Sequence, residues 1–392
     1  MPAWYPSYCG WQDVPSLEEH QGRTHDLMRA FAERENRRVP IRFACDEQVW
    51  TRIAGCSFNT FYHDATWHLR AQLDGWHWFR HHVIGDQAMG LPDRWLVVVQ
   101  HWMEENAYVG CEITYQEDDY AWGQPLDLPK QELLAHIRDL DPEERVRATE
   151  TYRLYQEMRD LTTDLAFCDR PVQVYPPGRG THGIFTKAAE VRGIDRLCMD
   201  LVEDPEFARQ YLDAFAEAEI ARTKAWRRLA PFPDEEPLPN ISGFGFADDS
   251  LQLVSAATAR RFLLGPYERL YGAMTTGRRW FHVCGLAMQH YPMLVEDLGI
   301  TTIDGPGDFC DHASYLARYL DLGFHAQTDS GILLHGSRED IVAMMRKLLA
   351  PGAKQPGRYW IDGFLTRHMP VETLRTVYDL GLEMGTIPDA AS

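Results

Sequence analysis

From about residue 276 onward, short apolar runs alternate with stretches whose apolar residues recur every three or four positions, the signature of strand and amphipathic helix in turn. The runs Trp280-Phe-His-Val, Ile300-Thr-Thr-Ile, Phe324-His-Ala-Gln and Arg358-Tyr-Trp-Ile predict strands, and 287–298, 313–322, 338–349 and 371–383 predict helices. Gly299, Gly323 and Gly352 fall where helix C-terminal caps are expected, since glycine enters the left-handed region without steric cost. Upstream, Val39-Pro-Ile-Arg-Phe-Ala, Trp95-Leu-Val-Val-Val, Val172-Gln-Val-Tyr and Asn240-Ile-Ser-Gly-Phe predict four earlier strands with longer excursions between them. Eight βα units in 392 residues predict an α/β fold, a (β/α)8 TIM barrel rather than an open doubly wound sheet. Residues 1–37 are expected to be a helical N-terminal extension and residues 38–392 one barrel domain. The alternating Tyr108-Val-Gly-Cys-Glu-Ile-Thr-Tyr, within 108–125, predicts a β-hairpin inserted after the second strand.

Composition narrows the function classes. A chain with 45% hydrophobic and 12% aromatic residues has ample material for a large core. No apolar run approaches the roughly 18 residues that a membrane span needs. The opening Met-Pro-Ala-Trp-Tyr-Pro lacks the basic and apolar regions of a signal peptide, so the expected location is cytoplasmic. A net charge of -19 argues against nucleic acid or an anionic membrane as partner, because both demand a basic surface; a small-molecule substrate fits better. The eight cysteines are scattered rather than arranged as a compact disulfide framework, which suggests reduced thiols.

In a barrel of this kind the chemistry sits at the C-terminal ends of the strands, where the βα loops build a concave face. Asp46 follows the first strand, Tyr175 the third, Asp248 and Asp249 the fourth, His282 and Cys284 the fifth, Asp304 the sixth, Asp329 the seventh and Asp362 the eighth. The plain alternative for any one of these aspartates is a helix cap or turn residue. As a set they would repel unless a cation, a proton or a basic substrate neutralised them.

Phe281-His-Val-Cys-Gly is the strongest single feature. A histidine and a cysteine two apart at a strand end can aim an imidazole nitrogen and a thiolate into one cleft, although packing at the rim is the alternative. Zinc takes three or four ligands from cysteine, histidine and carboxylate, so a third must come from elsewhere: Cys310, Asp362 or His368. His282, Cys284 and Cys310 are therefore the expected metal ligands, and Asp249, Asp304 and Asp329 the expected catalytic groups. Asp46, Tyr175, Arg179, His182, Asp248 and Asp362 are expected to line the substrate site. Arg179 and His182 belong to the glycine-rich Gly178-Arg-Gly-Thr-His-Gly, whose amides could hold an anion but which is neither a P-loop nor a dinucleotide fingerprint.

The chain resembles the uroporphyrinogen decarboxylase superfamily, which includes zinc methyltransferases serving corrinoid proteins. The residues that carry the likeness are Phe281-His-Val-Cys-Gly, Leu298-Gly-Ile-Thr-Thr-Ile-Asp, Gly336-Ser-Arg-Glu-Asp-Ile, Met369-Pro-Val-Glu-Thr-Leu and, upstream, Gly183-Ile-Phe-Thr-Lys-Ala-Ala-Glu-Val-Arg-Gly. No arginine-rich N-terminal loop for a porphyrinogen's carboxylates is present, and Ile361-Asp-Gly-Phe-Leu stands where that branch has Gly-His-Gly. The resemblance thus implies a zinc-dependent methyl or alkyl transferase, with a corrinoid or other small methyl donor, a corrinoid protein as partner, and a thiol-type acceptor. It also leaves a metal-free decarboxylase or lyase and a non-catalytic corrinoid-binding accessory protein as alternatives. The branch's third ligand, a cysteine near the last strand, is missing here.

Overall fold

The computed structural model describes residues 17–177, 180–231 and 235–388. Eleven strands lie within them: β1 (Ile41–Cys45), β2 (Trp95–Val98), β3 (Ile113–Thr114), β4 (Trp122–Gly123), β5 (Ala166–Phe167), β6 (Arg170–Tyr175), β7 (Phe244–Ala247), β8 (Arg279–His282), β9 (Thr302–Asp304), β10 (Gly323–Gln327) and β11 (Tyr359–Leu365). A strand therefore answers to each of the eight expected runs, but β7 starts at the residue where its run was expected to end. The reason is local. The Asn240 side chain accepts from the Gly243 amide at 3.0 Å, and Gly243 takes a positive φ of 122°, so the chain turns before it extends.

Six strands form one parallel sheet in the order β1-β11-β10-β9-β8-β7, and β2 pairs in parallel with β6 in a second sheet that β5 extends. Among the described residues no strand pairing joins the two into a closed ring. At one edge the amides of β1 turn to side chains: Ile41 donates to Asp86 Oδ2 at 2.8 Å and Phe43 to Gln87 Oε1 at 3.1 Å. At the other edge, the Ala247 amide of β7 donates to the Thr181 carbonyl, just beyond β6, at 3.1 Å. The fold is thus mixed α/β, built on a six-stranded parallel sheet and a smaller separate one, and the expected closed eight-stranded barrel does not form through strand pairing among the described residues.

Several helices depart from expectation. The stretch 287–298 is not one α-helix but a 3-10 turn, Met288–His290, followed by a π-helical turn, Met293–Asp297. Pro292 lies between them; it has no N–H to continue an α-helical ladder and its ring clashes with the preceding turn. Gly299 closes the segment at φ +65°, as a cap should. Gly323, by contrast, opens β10 rather than capping a helix. The inserted hairpin exists, with Ile113 opposite Gly123 and Thr114 opposite Trp122, but Tyr108 and Val109 belong to the helix Glu104–Val109. The N-terminal extension contains the helix Leu17–Ala32; residues 1–16 lie outside the described residues. Among the described residues no helix is long and apolar enough to cross a membrane.

Alternation along the strands sorts the two faces of the large sheet. In β11, Tyr359, Ile361, Gly363 and Leu365 are buried, while Trp360, Asp362 and Phe364 on the opposite face are only half-buried. The helix Val371–Met384 packs on β1 and β11. Parallel register sets Arg42 of β1 and Gln327 of β10 beside Asp362, His325 beside Trp360 and Asp304, and Asp304 beside His282. The half-buried face of the sheet is therefore a row of polar and aromatic groups.

Candidate metal centre at the end of strand β8

His282 is the last residue of β8 and Asp304 the last of β9, paired in register. The imidazole Nδ1 lies 2.8 Å from Asp304 Oδ2, so the carboxylate accepts and Nδ1 carries the hydrogen. That choice leaves Nε2 to face the other way, 3.0 Å from Cys284 Sγ and 3.6 Å from Asp249 Oδ1. Asp249 comes from the segment after β7 and is held in place because its Oδ1 also accepts from the Cys284 amide at 2.7 Å. The ring is well shielded, with 19% of its side chain exposed. Burial disfavours the imidazolium, but the hydrogen bonds to Asp304 and Cys284 outweigh it and hold the pKa of His282 well above its ordinary value.

One carboxylate oxygen, one imidazole nitrogen and one thiol sulfur thus lie within 4.8 Å of one another at Asp249, His282 and Cys284. Ligands on a tetrahedral zinc are about 3.3–3.6 Å apart, as bond lengths near 2.0–2.3 Å require. The separations of 3.0 and 3.6 Å approach that geometry, and the chemistry of the donor set suits zinc. A carboxylate on the far nitrogen of a ligating histidine is the usual second layer of such sites; it fixes the tautomer and raises the ligand's basicity. The residues fit the metal.

The other expected ligand, Cys310, is set apart from this group. It is buried beside Tyr291, and burial pushes its thiol up to about 12, far from a thiolate at neutral pH. Asp249, not Cys310, lies with His282 and Cys284 in the donor group. Asp362 belongs to a neighbouring group with Asp304 and His325. Its Oδ2 accepts from Trp360 Nε1 at 2.6 Å, and burial pushes its carboxyl up to about 6.

Three of the expected site aspartates have structural duties. Asp248 is fully buried and accepts from the Phe185 and Thr186 amides, the Thr186 hydroxyl and Tyr267 Oη at 2.6–2.9 Å, tying the helix Ile184–Arg192 to β7. Asp329 caps the helix Ser330–His335 through the Ile332 amide at 2.9 Å. Asp46 caps the helix Glu47–Ala54 through the Gln48 amide at 2.9 Å, and its second oxygen accepts from Tyr120 Oη of the insertion. Tyr175 ends β6, and Arg179 lies outside the described residues.

His182 is anchored rather than loose. Its Nδ1 lies 2.6 Å from Glu105 Oε2, and its ring sits 4.8 Å from that of Trp102. Glu105 belongs to a buried network in which the Arg222 guanidinium bonds Glu104, Glu105 at 3.0 Å and Glu219 at 3.0 Å. Sequence reasoning missed this network and missed His325. For His325 a signal existed: it precedes Gln327 by two in an otherwise apolar strand, which puts both on one face. For the network there was none, because its members come from helices more than 100 residues apart.

No protein-family model and no curated protein matches the sequence. Among solved structures the fold is similar to that of a methyltransferase from Methanosarcina mazei, with a TM-score of 0.59 at 14% identity, over 90% of this chain and 97% of that one.

Proposed function

We propose that this protein is a zinc-dependent methyl or alkyl transferase of the uroporphyrinogen decarboxylase superfamily, with its two sheets forming an opened eight-stranded barrel. The observation that carries the reading is the relay from Asp304 through His282 to Cys284 and Asp249, a second-layer carboxylate behind a three-atom donor set. Asp249, His282 and Cys284 would hold the metal, and Asp249 replaces Cys310 as the third ligand. Zinc bound there would lower the pKa of an acceptor thiol so that it attacks as a thiolate. The chain's own residues do the remaining work. Asp304 keeps the hydrogen on Nδ1, and the Cys284 amide orients Asp249. His182, steadied by Glu105, stands in the loop whose Thr181 carbonyl meets β7 two residues before Asp249. The fold likeness to a methyltransferase adds support, and a corrinoid is the methyl donor the reading favours.

The test is metal analysis of protein purified without chelator, together with methyl transfer from methylcobalamin to a small thiol. About one zinc per chain and transfer activity are expected, both lost when His282 and Cys284 are changed together to alanine and serine. Unchanged metal content and transfer in that variant would sink the proposal.

A further inference from the structure

We infer that Asp304, His325 and Asp362 form a second divalent-cation site on the sheet face, coupled to the first through the Asp304–His282 hydrogen bond. A ligand-type atom from each of the three lies within 4.8 Å of the others. They come from three adjacent strands, β9, β10 and β11, and parallel register sets Asp304 beside His325. Strand backbones hold such a set more rigidly than loops would.

The surroundings favour a cation. Two carboxylates converge here, and like charges at this separation need a counter-charge or a proton. Asp304 pairs with His282. Burial holds the Asp362 carboxyl up to about 6 even though Arg42, in register with it and 4.8 Å from the Trp360 ring centroid, draws it down by its charge. Among the described residues no lysine or arginine forms a direct ion pair with either aspartate. The His325 ring stacks on Trp360 from β10 at 3.7 Å, and neither of its nitrogens has a hydrogen-bond partner among the described residues. Stacking fixes the ring plane without using its nitrogens. Trp360 is occupied by His325 from one neighbouring strand and Arg42 from the other, which leaves it as a wall rather than a cage for an organic ammonium.

Two oxygens and one imidazole nitrogen make a harder set than the oxygen, nitrogen and sulfur of the first site. Carboxylate-rich sites suit manganese and similar first-row divalent ions, whereas the thiolate favours zinc. The second site would sit one strand over from the first and add positive charge at the sheet face, where an anionic substrate group could be drawn in. The inference does not require the first site to hold zinc.

Cobalt(II) is the probe, added to chelator-stripped full-length protein and followed by calorimetry and absorption. Two equivalents are expected to bind, of which one produces a thiolate-to-cobalt charge-transfer band. His325→Ala and the near-isosteric Asp362→Asn should each bind one equivalent and keep that band. Cys284→Ser should lose the band and keep the other equivalent. Binding of a single equivalent that carries the thiolate band, or no loss of an equivalent in a folded Asp362→Asn variant, would overturn the inference. Two equivalents without any thiolate band would instead overturn the zinc reading of the first site and leave this one standing.

Discussion

Replacing Asp304 tests how the metal centre is organised. The carboxylate accepts from His282 Nδ1 at 2.8 Å, and the two side chains are 25% and 19% exposed, so solvent screens the contact little. A hydrogen bond to a charged group contributes about 1.5–3 kcal/mol. At about 1.4 kcal/mol per factor of ten, Asp304→Ala should weaken metal binding at the thiolate site by about tenfold to a hundredfold, the range typical of second-layer carboxylates. Asp304→Asn keeps an oxygen that can still accept from Nδ1–H and should fall between the two. The assay is a cobalt titration read at the thiolate charge-transfer band, which reports Cys284 alone and is blind to the neighbouring carboxylate group. A loss smaller than threefold in a folded Asp304→Ala protein would refute the reasoning, since His282 would then need no partner on its far nitrogen.

Three further expectations concern the scaffold. His68 is fully buried, with Nδ1 donating to the Phe61 carbonyl at 2.8 Å and Nε2 accepting from the Gln100 amide at 3.0 Å, and burial pulls its pKa down to about 4. A proton on Nε2 would face an N–H, so the neutral ring's contribution to stability is fully present above the unfolded value of about 6.5 and is lost as pH falls toward 4. Buried carboxyls with raised pKa, such as Asp74, act in the opposite sense, so the test reads the ring itself by nitrogen NMR; a titration midpoint above pH 6 would contradict it. Arg222→Met should cost about 3–5 kcal/mol in urea unfolding, because it strands buried Glu104, Glu105 and Glu219 without their cation, and a loss under about 1 kcal/mol would count against the network's role. Gly245→Val should destabilise the sheet and displace Trp280, whose ring atoms lie about 2 Å from where a Cβ would stand; unchanged Trp280 fluorescence and melting temperature would argue against it.

Much of the strand framework was legible because a strand announces itself by a short apolar run between turn residues. Seven of the eight runs share two or more residues with their strands; the fourth slipped because Asn240-Ile-Ser-Gly, a stretch of turn-forming residues around one isoleucine, makes the turn that its hydrogen bond shows and the strand begins only at Phe244. Helix 287–298 failed for a reason visible in the sequence, Pro292. The aspartates after the strands were legible as a set but not by role. Asp248 and Asp329 occupy the same kind of position as Asp249, yet two tie down helices and one faces His282.

By itself, the sequence determined the alternation of strands and helices, the face on which each strand residue lies, and the pairing of His282 with Cys284, because these depend on neighbours one to four residues apart. The third donor, the second-layer carboxylate and the His325 group were decided only by the tertiary structure. Parallel strands meet through crossovers, so His282, Asp304 and His325 become neighbours through register, while Asp362 stands two residues beyond the register partner of His325 and Asp249 comes from the turn after β7. A period of two tells which way a side chain points; it does not tell which strand lies alongside.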